Sequence, residues 1–164
     1  MMGFMSGQVL TQERLIPTIE RMRANGKRIV FTNGCFDLMH IGHTRYLQEA
    51  KSLGDVLVVG VNSDASVRSL EKGSDRPIVP EAQRAEVVAA LGCVDFVVIF
   101  TESDPGRLIA AVQPDVLVKG GDWAWDQIVG RDVVEAHGGL VRTIPLVSGL
   151  STTTLLQRIR STTT

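Results

Sequence analysis

Two histidines three residues apart, His40 and His43, close the stretch Phe31-Thr32-Asn33-Gly34-Cys35-Phe36-Asp37-Leu38-Met39-His40-Ile41-Gly42-His43. Imidazoles can donate hydrogen bonds, shuttle protons or ligate metals, so what surrounds them decides their chemistry. Arg28 to Phe31 reads as a short buried strand, and Tyr46, Leu47, Ala50 and Leu53 carry the period of the helix that follows. The pair therefore falls where that helix begins. A helix N-terminus presents free N–H groups and the positive end of the peptide dipoles, which stabilise an anion before any side chain contributes. Gly34 and Gly42 let the backbone approach such a ligand closely. The arrangement predicts a phosphate site.

Two other readings compete with it. Cys35, His40 and His43 lie within nine residues, which suits zinc. A structural zinc takes four ligands, and the remaining candidates, Cys93 and His137, stand far off in sequence. No residue is assigned to a metal. The plainer alternative is a pair of polar residues capping a helix, but two histidines framed by two glycines after an apolar strand favour phosphate.

The scaffold that must hold this site is an α/β fold. A chain of 164 residues reads as a single domain, 1–164, able to bury about 70% of its unfolded surface. Strand-like and helix-like segments alternate as in βαβ units, predicting a doubly wound, Rossmann-like domain with a mainly parallel five-stranded sheet. Its strands are expected at 28–31, 56–61, 94–100, 116–118 and 140–144. Helices are expected at 11–25, with Pro17 as a point of kinking or delay, then from His40, after Asn62-Ser63-Asp64, at 81–91, after Ser103-Asp104-Pro105, at 131–137, and after Ser151-Thr152-Thr153-Thr154. Residues 1–8 and 161–164 read as flexible. In such sheets ligands bind outside the carboxyl ends of the strands. His40 and His43, the basic residues Arg68, Lys72 and Arg76, Lys119-Gly120-Gly121-Asp122 and Ser151-Thr152-Thr153 all follow strands.

Composition narrows the partners. Net charge of −1 gives no general attraction to nucleic acid or anionic membrane, so local groups must hold any phosphate. No apolar run approaches the ~18 residues of a membrane span, and Met1 to Leu10 lacks a signal-peptide pattern, which predicts a cytoplasmic protein. The two cysteines make no disulfide framework. Gly-x-Gly-x-x-Gly is missing after the first strand, against a dinucleotide oxidoreductase, and Gly-x-x-x-x-Gly-Lys-Ser/Thr is missing too.

His40-x-Gly42-His43 resembles the nucleotide-binding motif of the nucleotidyltransferase superfamily, which implies a nucleoside triphosphate. Together with Val61-Asn62-Ser63-Asp64-Ala65-Ser66, Arg76-Pro77, Gln83-Arg84, Val118-Lys119-Gly120-Gly121-Asp122 and Ser151-Thr152-Thr153, it resembles the D-glycero-β-D-manno-heptose 1-phosphate adenylyltransferase family over about residues 11 to 160. The resemblance is to the stand-alone form, without a fused sugar kinase. It implies an enzyme that transfers AMP from ATP to the sugar 1-phosphate, giving ADP-heptose and pyrophosphate for lipopolysaccharide core synthesis, with Mg²⁺ carried on ATP and a homodimer as the assembly.

By the same resemblance His40, His43 and Lys119 are catalytic. Asn33, Gly34, Cys35, Phe36, Gly42, Gly120, Gly121, Asp122, Ser151, Thr152 and Thr153 bind nucleotide, and Asp37, Arg76 and Arg84 serve substrate. Asp37 stands between two roles, orienting the loop or approaching the metal. Trp123 and Trp125 are candidates for stacking on the base or lining the sugar pocket. Glycerol 3-phosphate cytidylyltransferases are the nearest alternative, but they carry Arg-Thr close before Gly-Ile-Ser-Thr-Thr. Here Arg142-Thr143 is separated from Gly149 and Leu150 replaces the Ile, so no catalytic role is carried onto Arg142. A nucleotide sensor without catalysis is more remote, because both histidines are present.

Overall fold

Strands that are apolar without a break need cover on both faces, and that requirement organises the chain. The computed structural model describes residues 7–70, 75–121 and 123–162. In order come β1 (Gln8–Val9), α1 (Gln12–Ala24), β2 (Ile29–Gly34), α2 (Ile41–Lys51), β3 (Val56–Asn62), α3 (Asp64–Ser69) and α4 (Glu81–Ala89). They are followed by β4 (Phe96–Phe100), α5 (Gly106–Val112), β5 (Val116–Gly120), a 3-10 turn (Trp125–Gln127), α6 (Arg131–Ala136), β6 (Leu140–Ile144) and α7 (Thr152–Ser161).

Alternation along the strands divides the core in two. Ile29, Phe31, Val56 and Val58 pack with Leu15 and Ile19 of α1, Ile109 of α5 and Val134 of α6. Val30, Leu57, Val59 and Val61 face the other way, against Leu47 and Ala50 of α2 and Ala85 and Val88 of α4. Pro17 neither delays nor ends α1, which runs from Gln12 through it. Burial of Leu15 and Ile19, worth about 1.5–3 kcal/mol each, offsets the roughly 3 kcal/mol of an interior proline.

The sheet is parallel throughout, in the order β1-β4-β3-β2-β5-β6. It has six strands among the described residues, not the expected five. The extra one is β1, which adds Gln8 and Val9 to the edge beside Phe96 and Val97. Two residues are too few to show an alternation, so a strand of that length leaves no periodic signal. Gln8 is thus paired rather than loose, and at the other end Ser161 closes α7.

From β2 the chain steps outward to β3 and β4, then crosses back to β5 on the other side of β2. The carboxyl ends of β2 and β5 therefore flank the point where strand order reverses, where an open sheet leaves its crevice. Register does the rest. Phe31 pairs with Leu117, and two residues further on Asn33 and Lys119 come side by side at the sheet's rim.

Candidate nucleotide site

His40 is the N-cap of α2, and its ring turns back onto the helix it starts. Its Nδ1 accepts the Gly42 N–H at 3.1 Å, while Nδ1 of His43 accepts the His40 N–H at 3.3 Å, a reciprocal capping box built from two imidazoles. An Nδ1 that accepts leaves its ring's proton on Nε2. Both rings are thereby held as neutral tautomers with an Nε2–H donor facing away from the backbone. The rings lie 4.0 Å apart at 30°. Burial, followed by the neighbouring His40, lowers the His43 pKa to about 4, and burial lowers that of His40. At neutral pH the pair offers directed hydrogen bonds rather than charge.

Gly42 is glycine for a reason visible in the same geometry. A Cβ there would stand 2.8 Å from Cε1 and 2.9 Å from Nδ1 of His40, displacing the ring that caps the helix. Capping and phosphate binding, opposed as readings of the sequence, turn out to be compatible: Nδ1 does the first and Nε2–H is left for the second.

The loop before α2 is fixed from beneath by Asp37. Its side chain is fully buried, with Arg76 Nε at 2.6 Å and the Ile78 and Val79 N–H groups each at 2.9 Å. Burial pushes this carboxyl up, but the two backbone donors and the Arg76 guanidinium together outweigh it and leave it below its ordinary value. Of its two expected roles, these bonds serve the first, orienting the loop. On either side Phe36 and Leu38 adopt left-handed backbone, with φ of 50° and 53°, a conformation that costs non-glycine residues about 1–3 kcal/mol and persists only where surroundings enforce it.

Arg84, expected to serve substrate, lies beneath the same loop. It is 1% exposed and spends its guanidinium on the Cys35 carbonyl, the Val79 carbonyl and Asp64. It braces the loop from α4 and lines neither of the two cavities described below. Sequence alone does not announce this bracing contact, since Arg84 meets Cys35 across 49 positions.

Opposite α2 stands the start of α7. Ser151 is its N-cap, accepting the Thr154 N–H at 3.0 Å. Thr152 donates to the Asp37 carbonyl at 2.5 Å and so ties the start of α7 to the loop that precedes α2. Thr153 leaves its hydroxyl on the cavity wall without a hydrogen bond among the described residues. The result is a cavity of about 530 Å³ lined by Asn33, Gly34, Cys35, Phe36, Asp37, His40, Gly42, His43, Arg76, Gly120, Ser151, Thr152 and Thr153. Tyr46, Leu146, Val147 and Leu150 complete its wall and were not anticipated. Tyr46 reads in sequence as one more apolar helix position; its hydroxyl in fact bonds Thr32 at 2.6 Å and the Val118 carbonyl at 3.3 Å.

Lys119 lies across β2 from the histidines. Its Nζ donates to Asn33 Oδ1 at 2.5 Å, and burial lowers its pKa to about 8, partly countered by Asp104. It lines a second cavity of about 340 Å³ together with Trp123. Gly121 and Trp125 line neither cavity, and Trp125 instead lies against the Arg131 guanidinium at 5.9 Å. Arg142 and exposed Arg68 are outside both as well. Asp122 and Lys72 fall outside the described residues.

Among the described residues no group of three or more His, Cys, Asp or Glu side chains could hold a metal ion. Among the same residues no helix is long and apolar enough to cross a membrane.

Residues 31–158 match the family described as cytidylyltransferase-like. The chain is 55% identical over 149 residues to the bifunctional protein HldE of Geotalea uraniireducens, and 54% identical over 162 residues to that of Geobacter metallireducens. These alignments take in 91% and 96% of this chain but 30% and 33% of those proteins, so it spans about a third of their length. Among solved structures, the lipopolysaccharide core biosynthesis protein from Thermoplasma volcanium superposes with a TM-score of 0.62 at 32% identity, covering 74% of this chain and 98% of that one. Pantoate-beta-alanine ligase from Francisella tularensis, complexed with beta-gamma ATP and beta-alanine, gives 0.58 at 15% identity over 85% and 67%, a likeness of fold alone.

Proposed function

We propose, for a chain that belongs to the cytidylyltransferase-like family, that it transfers AMP from ATP to the phosphate of D-glycero-β-D-manno-heptose 1-phosphate, giving ADP-heptose and pyrophosphate. The observation that carries this reading is the convergence on one cavity of two fixed Nε2–H donors and the N-termini of α2 and α7. Identity above 50% to proteins named HldE supports the choice of reaction. A cytoplasmic homodimer belongs to the same proposal on the strength of the family resemblance.

The chemistry needs no nucleophile from the protein. A phosphate oxygen of the sugar attacks the α-phosphorus, the bond to the β-bridging oxygen breaks, and pyrophosphate departs with the electron pair. The protein's task is to bring two anions together and to stabilise the charge that moves onto the leaving oxygens. His40 and His43 donate from Nε2 to those oxygens, the α2 and α7 N–H groups add their dipoles, and Lys119 supplies counter-charge for the incoming phosphate.

A divalent cation fits this site as a passenger on the triphosphate. Asp37 is spent on Arg76 and the backbone, and Mg²⁺ commonly keeps water and phosphate oxygens as ligands. Bound so, it neutralises charge on the leaving pyrophosphate. Excess EDTA is therefore expected to reduce turnover to background and added Mg²⁺ to restore it; full activity in chelator would refute the scheme.

The test of the reaction is pyrophosphate release with ATP and CTP crossed against heptose 1-phosphate and glycerol 3-phosphate. ATP with heptose 1-phosphate is expected to be the productive pair. Faster turnover of CTP with glycerol 3-phosphate would assign the chain to the cytidylyl reaction instead.

Lys119 gives this scheme a pH signature. With a pKa of about 8 it is charged below that value and neutral above it. Phosphate monoesters complete their ionisation near pH 6, so a limb near pH 8 belongs to the enzyme. The profile of kcat/KM, which reports the free enzyme, is expected to fall as pH rises through about 8. Lys119→Arg, charged at every accessible pH, is expected to remove that fall. An unchanged alkaline limb in the variant would detach Lys119 from it.

A further inference from the structure

Where strand order reverses, β2 and β5 hold each other only part of the way along. Each stays paired with its outer neighbour up to the rim, Gly34 of β2 with Val61 of β3 and Gly120 of β5 with Ile144 of β6. Between β2 and β5 themselves, among the described residues, the ladder joins Val30 to Val116 and Phe31 to Leu117 and goes no further. The groups that serve one phosphorus from its two sides ride on separate elements beside this opening, His40 and His43 at the start of α2 and Lys119 on β5. Backbone pairing does not fix the distance between them. Lys119 reaches Asn33 of β2 at the rim, but the histidine helix is joined to β5 by a different side chain.

That side chain is Tyr46. It stands on α2 three positions after His43, is 8% exposed, and brings its hydroxyl to Thr32 of β2 at 2.6 Å and to the Val118 carbonyl of β5 at 3.3 Å. The partners fix the direction of both bonds. A carbonyl only accepts, so the Tyr46 proton goes to Val118 and Thr32 donates to Tyr46. Burial pushes the Tyr46 hydroxyl up to about 12, so it remains a donor across the working range of pH. The ring also lies against β5, where a Cβ on Gly120 would stand 3.2 Å from its Cε2. One helix and two strands thus meet on a buried polar group that no step of the transfer uses.

We propose that Tyr46 is a positioning residue, a strut whose hydroxyl sets the histidine helix at a fixed distance from the strand that carries Lys119. The inference rests on the adenylyl transfer proposed above and adds what keeps the two sides of that site in register. Tyr46 acts through His43 and Lys119, not on a substrate. Without its hydroxyl the Val118 carbonyl, on a fully buried residue, has to take up water or shift toward another donor. A misplacement of about 1 Å can cost up to about 10²-fold in rate.

Two measurements test it. Tyr46→Phe keeps the ring and its packing, and Thr32→Val is its control, because that change also removes a buried hydrogen bond but leaves Tyr46 on Val118. At a temperature where both variants are folded, Tyr46→Phe is expected to lower kcat about 10-fold or more with KM for ATP within about twofold. Thr32→Val is expected to keep kcat within about twofold. A role in stability alone would lower Tm in both variants and kcat in neither. The second measurement needs no turnover. In protein carrying isotope-labelled lysine, the Lys119 signal is identified by its loss in Lys119→Arg and its titration is followed by NMR. Burial sets that titration at about 8, and Asp104, the charged group acting on it, is unchanged in both variants. It is expected to stay there in Thr32→Val and to rise toward the ordinary lysine value of 10.5 in Tyr46→Phe, as water enters beside β5. An unshifted Lys119, or a kcat in Tyr46→Phe no lower than in Thr32→Val, would overturn the strut while leaving the adenylyl transfer standing. A shifted Lys119 in an enzyme that turns over none of the four crossed pairs would uphold the strut and defeat the adenylyl reading.

Discussion

His43→Ala is expected to lower kcat by ~10²-fold to 10³-fold, by analogy with loss of one oxyanion donor, with a much smaller change in KM for ATP. The donor is aimed where charge grows during transfer, so its loss costs more in the transition state than in bound ATP. The same substitution removes an acceptor from the capping box, since Nδ1 of His43 receives the His40 N–H. That part is expected to cost about 1 kcal/mol of stability. The two contributions separate in His43→Asn. An amide oxygen can still accept near the helix start, so stability is expected to recover while kcat stays low. Near-normal kcat in either variant would leave His43 as a cap alone.

The pH dependence carries its own sign. The His43 pKa of about 4 lies below the ordinary histidine value of 6.5, so between those values the unfolded chain binds more protons than the folded one. Stability therefore falls as pH drops through that window. Protonating His43 at Nδ1 would also break the bond from His40 N–H, so the acid form can neither cap the helix nor keep its ring in position. Thermal melts between pH 7 and pH 4 are expected to show a shallower acid slope in His43→Ala than in the unchanged protein.

The pair itself was legible because its signal is local. Strand, glycine, two histidines and helix period all fall in the one continuous stretch from Arg28 to Leu53, and a helix N-terminus needs nothing distant to be recognised. The parallel sheet was legible for a related reason: strands covered on both faces carry unbroken apolar runs, as Val56–Asn62 does. Signals that depend on distant chain were not. Arg76 and Arg84 are basic residues in a polar stretch by sequence, and only folding reveals that both are spent on the loop at 35–37. Asp37 finds its partners 39 to 42 positions away. The second cavity draws Asn62, Asp104, Lys119, Trp123 and Gln127 from the ends of three strands, β3, β4 and β5, and the connections after them, and no spacing along the chain announces that they meet.

Asp37→Asn is expected to destabilise the fold by about 3–5 kcal/mol, because it leaves the Arg76 guanidinium buried without its counter-charge. Arg76 is 7% exposed at its side chain and Asp37 not at all, so water cannot replace the lost carboxylate without opening the loop. For a chain of this size that corresponds to a fall in Tm of roughly 6–20 °C. The consequence reaches the site through two connections. Phe36 and Leu38 lose the anchor that enforces their left-handed backbone, and the Asp37 carbonyl that receives Thr152 shifts with them. KM for ATP is therefore expected to rise even at temperatures where the variant remains folded, which a residue serving stability alone would not produce. Removing both charges in Asp37→Asn/Arg76→Met tests the cause. If the uncompensated guanidinium dominates, the double variant is expected to regain a large part of the lost stability while KM for ATP stays raised, because the loop is still unanchored. A double variant no more stable than Asp37→Asn would move the weight from the ion pair to the bonds that Asp37 receives from the Ile78 and Val79 N–H groups.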